Sequence, residues 1–167
     1  MSRGFVKEED QEEVPIVPPR ADLPDGLTNY VTQVGYEELL AEQRDLIHER
    51  DHIDTTDEKE RRIAVNFINA KLILLNQRIA SAQIIDLGKQ PKDEVRFGAK
   101  VKLLIGNHKT TQQYQIVGVD EADIAKGKIS FISPIAKLLT NKKVDDIAIL
   151  KLQNENREFK IVNIFYK

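Results

Sequence analysis

The segment that decides the fold of this chain runs from Gln115 to Leu139 and reads QIVGVDEADIAKGKISFISPIAKLL. Its first apolar residues are typical of a buried strand and lead into an acidic loop, Asp120-Glu121-Ala122-Asp123. A Lys-Gly turn and a second strand follow. Ser133 and Pro134 then predict a helix start, because serine caps a first turn and proline gives up an N–H that has no helical partner there. The segment therefore predicts a strand, a loop, a second strand and a short helix in one small domain.

Further strands on both sides of this segment predict a small, twisted antiparallel sheet. Gly106-Asn107 predicts a hairpin turn, and residues 153–156 supply another. Apolar and polar residues alternate along the flanking stretches, so one face of the sheet is expected to be buried and the other wet. The predicted strands cover residues 95–97, 99–105, 112–119, 128–132, 146–152 and 157–165.

The preceding stretch has the periodicity of two helices packed as a coiled coil. Helix one is predicted from near Gly35 to about His52, and helix two carries an apolar seam that ends at Asp86. Between them, Thr55-Thr56-Asp57-Glu58 fits a capping box with Thr55 as the N-cap residue. A connection of only a few residues requires the helices to be antiparallel neighbours. The seam of helix two consists of Val65, Ile68, Leu72, Leu75, Ile79 and Ala82.

The composition narrows the classes of function open to this chain. Its 167 residues carry a net charge of −2, whereas a protein that wraps DNA by itself needs concentrated Lys and Arg. The sequence contains no cysteine, which removes disulfides, thiolate catalysis and Cys-based zinc sites. No apolar run approaches the ~20 residues of a membrane span, and the first residues lack the apolar core of a signal peptide. A cytoplasmic protein without a membrane partner is therefore expected.

Residues 1–28 form a region of their own, which is acidic and contains four of the six prolines. These prolines, at positions 15, 18, 19 and 24, block the continuation of a helix or strand. The excess of acidic over basic residues favours a mobile, extended arm. The alternative is an arm that binds a partner through its apolar residues, which are Phe5, Val6, Val14, Ile16 and Val17.

A second motif lies near the end of helix one. His48-Glu49-Arg50-Asp51-His52 is a literal H-E-x-x-H sequence, which on a helix places two histidines on one face, where they could bind zinc with Glu49 as general base. The surrounding helix is a charged hairpin arm, and the remaining histidine, His108, belongs to the other domain. Two solvated histidines, His48 and His52, which are weak metal ligands at most, are the favoured interpretation.

The order of elements from Gln115 onward closely resembles the C-terminal domain of the bacterial GreA/GreB transcription elongation factors. The resemblance is continuous from Ala82 to Tyr166. It implies an α+β protein: an N-terminal antiparallel coiled-coil hairpin followed by a small FKBP-like antiparallel β domain with one short helix. The expected divisions are an extended arm at 1–28, the α-hairpin and linker at 29–90, and the Gre-type C-terminal domain at 91–167. The arm has no counterpart in the usual pattern of the family.

The resemblance also implies a partner and two sets of site residues. In this family the C-terminal domain docks on RNA polymerase at the mouth of its secondary channel, and acids at the hairpin tip hold a catalytic magnesium in the polymerase active site. The docking residues expected here are Asp120, Glu121, Asp123, Ser133, Pro134, Ile135 and Ala136. The tip acids correspond to Asp51 and Asp54, with Asp57 and Glu58 as further candidates. Acids at these positions could instead serve the helix dipole and capping, which favour them in a first turn.

The tip sequence, HIDTTDEKERR, keeps acids but lacks the Asn, Ala and Tyr of the family pattern. Helix one, at about 18 residues and 1.5 Å per residue, reaches only about 27 Å. The first hypothesis is therefore a non-enzymatic regulator that binds bacterial RNA polymerase, contacts nucleic acid only in that complex and has no cofactor of its own. The second is a true transcript-cleavage factor that shares magnesium with the polymerase. A coiled-coil adaptor and a divergent peptidyl-prolyl isomerase are the remaining alternatives.

Overall fold

The structure, a computed structural model, describes residues 14–107 and 110–167. Two long helices and a two-stranded sheet form an N-terminal hairpin module, and a five-stranded sheet with one short helix forms a C-terminal β domain. This arrangement confirms the predicted α+β architecture. The elements are β1 (Asn29–Val31), α1 (Gln33–Asp51), α2 (Glu58–Ser81), β2 (Ala82–Ile84), β3 (Lys100–Ile105), β4 (Thr111–Val117), β5 (Lys128–Ser130), α3 (Pro134–Leu139), β6 (Ile147–Lys151) and β7 (Asn156–Phe165).

The two long helices pack through the apolar seam that the sequence predicts. Thr32 caps α1, and its hydroxyl accepts a hydrogen bond from the Gly35 N–H at 2.9 Å. The helix therefore begins at Gln33, slightly earlier than predicted. Aliphatic side chains from both helices and from β1 form one buried cluster. Its members are Val31, Leu39, Leu46, Ile68, Leu72 and Leu75.

The predicted N-cap of α2 is wrong. Asp57, and not Thr55, caps this helix, because one carboxylate oxygen of Asp57 accepts two backbone N–H bonds, at 2.8 and 3.1 Å. The Thr55 hydroxyl instead donates to the Glu60 carboxylate at 3.0 Å. Both threonine and aspartate are good N-cap residues. The local sequence therefore allowed two possible starting points for α2, two residues apart.

The predicted end of helix two is also wrong. The helix ends at Ser81, and the next three residues form β2, which pairs in parallel with β1. The cause is a long-range contact. The Asn29 side-chain amide donates to the Arg78 carbonyl oxygen at 3.0 Å and to the Ser81 hydroxyl at 3.1 Å. Asn29 thereby satisfies one of the carbonyl groups that a helix end leaves unpaired, and the chain leaves the helix to pair with β1.

The five strands of the β domain are ordered β5-β4-β3-β7-β6. The pairs are antiparallel except for β4 and β5, which are parallel. The strand predicted at residues 95–97 does not form. Gly98 turns the chain there with a φ of +85°, and a Cβ atom at Gly98 would lie 2.0 Å from Leu87 Cδ2. Only glycine fits this turn, which ends the extended stretch before β3.

The core of the β domain lies between the sheet and α3 and includes twelve buried residues from the described part of the chain, among them Leu103, Leu139 and Ile161. The end of the chain closes this domain. The Tyr166 hydroxyl donates to the Glu94 carbonyl oxygen at 2.5 Å and accepts from the Arg96 N–H at 2.9 Å. Partial burial raises the pKa of Tyr166, which keeps the donating phenol protonated. Among the described residues, neither long helix combines the length and the apolarity that crossing a membrane requires.

Replacing Leu75 by Ala is expected to lower the free energy of unfolding by about 2–5 kcal/mol, because its fully buried side chain would leave a cavity between the helices. Ile73 on the same helix is 60% exposed, so Ile73→Ala is expected to change this energy by about 0.5 kcal/mol at most. Urea denaturation followed by circular dichroism measures both variants. Equal losses in the two would contradict the assigned seam.

Candidate functional site

The acidic loop after β4 points into the molecule. The side chain of Asp120 is only 7% exposed. Its Oδ1 atom accepts a hydrogen bond from Arg20 Nε at 3.0 Å, and its Oδ2 atom lies 3.6 Å from Arg78 Nε. Arg20 belongs to the N-terminal arm, and Arg78 belongs to the last turn of α2. Asp120 therefore ties the β domain to the arm and to the hairpin at once.

Glu121, the next residue, holds the start of α1. It is 7% exposed, and its carboxylate accepts a hydrogen bond from the Thr32 hydroxyl, the N-cap group of that helix. A Cβ atom at Gly35 would lie 3.0 Å from Glu121 Oε1, so the missing side chain lets the carboxylate approach the helix. A negative charge at a helix N-terminus is also favoured by the helix dipole. Glu121 thus fixes the base of α1 against the β domain.

Aromatic packing and one glycine complete this junction between the modules. The Tyr30 ring of β1 packs against Phe97 and Phe131 of the β domain, with ring centroids 5.8 and 5.7 Å apart. Tilted and edge-on contacts of this kind are favourable for aromatic pairs. A Cβ atom at Gly118 would lie 2.5 Å from the Tyr30 carbonyl oxygen, so only glycine permits this close backbone approach. The junction is therefore both charged and tightly packed.

These contacts change the predicted docking surface. Asp120 and Glu121 are predicted as exposed contact residues, but both carboxylates are buried and engaged by this chain. Their partners lie 100 and 89 residues away in the sequence, at Arg20 and Thr32, so no local pattern reveals them. Asp123 does reach the surface, and its carboxylate accepts a hydrogen bond from the Ala125 N–H at 3.1 Å.

The start of α3 forms as the sequence predicts. Ser133 Oγ accepts a hydrogen bond from the Ala136 N–H at 3.3 Å, and Pro134 occupies the first turn. Pro134 is exposed, Ser133 and Ile135 are half-buried, and Ala136 is fully buried in the core. The surface available to a partner here therefore consists of residues 133–135, and Ala136 has to be removed from the predicted contact set.

The four candidate acids of the hairpin tip all lie at the surface. Asp51 ends α1 and is 3.3 Å from the guanidinium of its neighbour Arg50. Asp54 lies exposed in the connection between the helices, and Glu58 begins α2. Asp57 is committed to capping α2, as described above. The acids most available to an external cation are therefore Asp54 and, once it leaves its arginine, Asp51.

His48 and His52 lie one turn apart at the same tip, with stacked rings whose centroids are 4.0 Å apart. His52 Nδ1 lies 2.8 Å from the His48 carbonyl oxygen, so this nitrogen is the donor. Within residues 14–107 and 110–167, no three His, Asp or Glu side chains are grouped so that they could hold a metal ion. His108 lies outside the described residues. The pair offers two nitrogen ligands, whereas catalytic zinc sites use three protein ligands.

Among the junction residues that sequence reasoning missed are Thr32, Arg20, Arg78 and Gly118. One signal was present for Arg20, since it is the last basic residue of an otherwise acidic arm. Another was present for Gly118, a glycine between two buried valines at the end of a strand, which often marks a close backbone approach. Thr32 and Arg78 carry no such signal, because a helix cap and a helix-end cation are ordinary features.

The comparisons with known proteins find one family throughout. The family model described as "Transcription elongation factor, GreA/GreB, C-term" matches residues 90–166. The transcription elongation factor GreA of Pelobacter propionicus is 36% identical over 127 residues, which cover 74% of this chain and 80% of that protein. The GreA factor of Nitratiruptor sp. is 34% identical over 151 residues, which cover 82% of this chain and 93% of that protein.

A third relative matches more closely over a shorter stretch. The GreA factor of Helicobacter acinonychis is 43% identical over 101 residues, and the match spans 60% of this chain and 62% of that protein. Among solved structures, GreA factor homolog 1 of Thermus thermophilus aligns over 83% of this chain and 99% of its own, with 23% identity and a TM-score of 0.39. The family assignment rests on the sequence relatives.

Replacing Asp120 by Asn is expected to lower the free energy of unfolding by about 3 kcal/mol, because the partly buried Arg20 and Arg78 lose their shared anion and, among the described residues, only Arg20 keeps another one, Glu42. Asp123→Asn is the matched control in the same loop. This carboxylate lies at the surface, and an asparagine keeps the local cap, so about 0.5 kcal/mol or less is expected. Urea denaturation measures both. Equal stabilities would contradict a structural role for Asp120.

Proposed function

Because this chain belongs to the GreA/GreB family of transcription elongation factors, we propose that it binds bacterial RNA polymerase and regulates elongation from the secondary channel. The observation that carries the proposal is the combination, in one chain, of the family's β domain and an acid-tipped helical hairpin fixed to it. The β domain supplies the docking surface, and the hairpin is the part that enters the channel.

Docking is assigned to the surface that remains free when the junction is formed. Residues 133–135 at the start of α3 and Asp123 in the acidic loop fulfil this condition. Asp120 and Glu121 contribute indirectly, because they hold the hairpin in place rather than touching the polymerase. This division separates the residues that bind the polymerase from those that position the hairpin.

The hairpin is short, and its length favours regulation over cleavage. Its first helix has 19 residues, which at 1.5 Å per residue extends about 28 Å from the junction. The alignment with the Nitratiruptor factor is 151 positions long, but the residues of this chain in it make up only 82% of its 167 residues. The aligned part of that relative therefore contains residues that have no counterpart here. A hairpin of this length supports channel entry with weak delivery of the tip to the catalytic centre. We therefore expect weak transcript cleavage or none.

The tip still has the donor groups that a magnesium ion prefers, which are carboxylate oxygens. Asp54 is exposed and Asp51 needs only to leave Arg50, so these two fit a shared magnesium in the polymerase active site better than Asp57, which caps α2. That ion would supply charge stabilisation for hydrolysis of the transcript by the polymerase. The protein's own part is to carry the carboxylates to coordination distance, about 2 Å.

A backtracked elongation complex tests the cleavage side of this proposal. The transcript is expected to shorten at close to the rate seen with polymerase alone. Excess protein is expected to compete with the Pelobacter propionicus GreA factor for the channel mouth, and so to reduce any cleavage that the polymerase performs when that factor is present. Robust cleavage that is lost in Asp54→Ala or Asp51→Ala would instead establish a cleavage factor. Asp45→Ala, an exposed carboxylate earlier on α1, is the matched control.

Pro134→Asp tests the docking side. An acid in the first turn suits the helix dipole, so α3 is expected to remain folded while the apolar contact is lost. Polymerase binding measured by fluorescence anisotropy is expected to weaken about tenfold, the equivalent of 1.4 kcal/mol. Lys151→Asp, at the exposed end of the edge strand β6, is the control and should bind normally. Unchanged binding by Pro134→Asp would remove α3 from the interface.

A further inference from the structure

The contacts that fasten the N-terminal arm to the junction centre on Arg20. The guanidinium of Arg20 donates to both oxygens of Glu42 on α1, at 2.7 and 3.0 Å, and to Asp120 of the β domain at 3.0 Å. Its side chain is only 18% exposed. The hydrogen bond to Glu42, more than any other contact, raises the pKa of Arg20. Two-pronged arginine–carboxylate pairs of this kind fix geometry as well as charge.

The residues next to Arg20 hold the arm against α2, the second long helix. The Arg78 side chain on α2 donates to the Ala21 carbonyl oxygen of the arm. Residues 19–23 of the arm and the last two turns of α2 line a shared groove of about 470 Å³. The arm therefore contacts α1, α2 and the β domain within a few residues, and the tie is not a single loose ion pair.

Asp120 depends on the arm for its hydrogen bonding. Oδ1 of Asp120 accepts from Arg20, whereas Oδ2 is buried without a hydrogen-bond partner among the described residues and has only Arg78 near it, at 3.6 Å. A buried carboxylate that loses its hydrogen bond is costly. If Arg20 is removed, the Asp120 carboxylate is expected to turn towards water, and the contact between the β domain and the hairpin is expected to weaken.

The position of Glu42 gives this tie mechanical leverage. The contacts of Thr32 and Tyr30 hold the hairpin at its base, where they limit sliding but oppose tilting only weakly. Glu42 lies near the middle of α1, about 14 Å along the helix from Gln33. A link from that point to the β domain resists a change in the angle between the hairpin and the sheet. Arg20 makes this link, because its guanidinium contacts both modules.

We infer that residues 19–23 are a strap in which Arg20 is a positioning residue that sets the angle of the hairpin, and hence the place of its tip, relative to the docking surface. The effect of the strap on elongation rests on the proposed function, whereas its effect on the angle of the hairpin does not. A short hairpin has to point along the channel before it enters, and the strap holds it in that orientation. Residues 1–13 lie outside the described part of the chain.

The angle can be measured on the protein alone. The chain has no cysteine, so Thr56→Cys near the hairpin tip and Lys151→Cys on β6 give two exposed sites for spin labels. Pulsed electron paramagnetic resonance is expected to show one narrow distance distribution. Arg20→Ala is expected to broaden it, and Arg20→Lys is expected to be intermediate, because lysine keeps the charge but loses the planar fork.

Two further variants guard this measurement. Glu42→Gln removes the α1 end of the tie while leaving Arg20 with Asp120, so it tests the strap even if Arg20→Ala does not fold. Arg44→Ala, which changes an exposed arginine on the same helix, should leave the distribution narrow. Distributions that stay as narrow as the wild type in both Arg20→Ala and Glu42→Gln would overturn the strap.

The unlabelled full chain then links the angle to the polymerase. Arg20→Ala is expected to bind polymerase with the wild-type Kd but to lose several-fold of the maximal effect on elongation at saturation, because the docking surface is intact and only the tip is misplaced. Broadened distances with an unchanged maximal effect would overturn the positioning role. If the wild type neither binds polymerase nor alters elongation while Arg20→Ala broadens the distances, the proposed function fails and the strap stands.

Discussion

The buried carboxylate of Asp120 is the interaction on which the arrangement of this protein depends. Each module has its own apolar core, one between the two long helices and one between the sheet and α3. Nothing in those cores fixes how the modules lie together. Asp120 fixes their relative position, because its carboxylate accepts a hydrogen bond from Arg20 and lies close to Arg78. A buried anion between two cations has few other positions of comparable energy. Charge therefore sets the orientation, and packing sets the stability of the parts.

The remaining junction contacts make this orientation precise. Glu121 accepts a hydrogen bond from the N-cap residue of α1, and Tyr30 packs against two phenylalanines. Gly118, which has no side chain, leaves room for the Tyr30 carbonyl oxygen. All three act at the base of the hairpin, whereas Arg20 acts further along it. If the β domain docks as proposed, a fixed angle brings the tip of the short hairpin to the same place each time.

The acids of this chain illustrate how one residue type serves unlike purposes. Asp57 caps a helix, Asp120 and Glu121 join modules, and Asp54 faces water with its carboxylate free for a cation. The sequence grouped the first and the last as tip candidates and the middle two as a docking loop. Composition and spacing reveal where acidic residues cluster. The role of each one, however, is decided by the cation or N–H group that the fold places next to it.

The sequence by itself determined the two long helices, the strands from β3 to β7 and α3, in their order: the seam through Leu39 and Leu72, the strands around Val101 and Ile161, and the capped start of α3 at Ser133 all follow from periodicity and local hydrogen bonding. Only the tertiary structure decided that α2 stops at Ser81, that Gly98 ends a strand early, and that Asp120 faces inward towards Arg20. The physical reason is separation along the chain. Asn29, Leu87 and Arg20 act on residues that are distant in the sequence, and contacts of that kind leave no periodic trace in either partner.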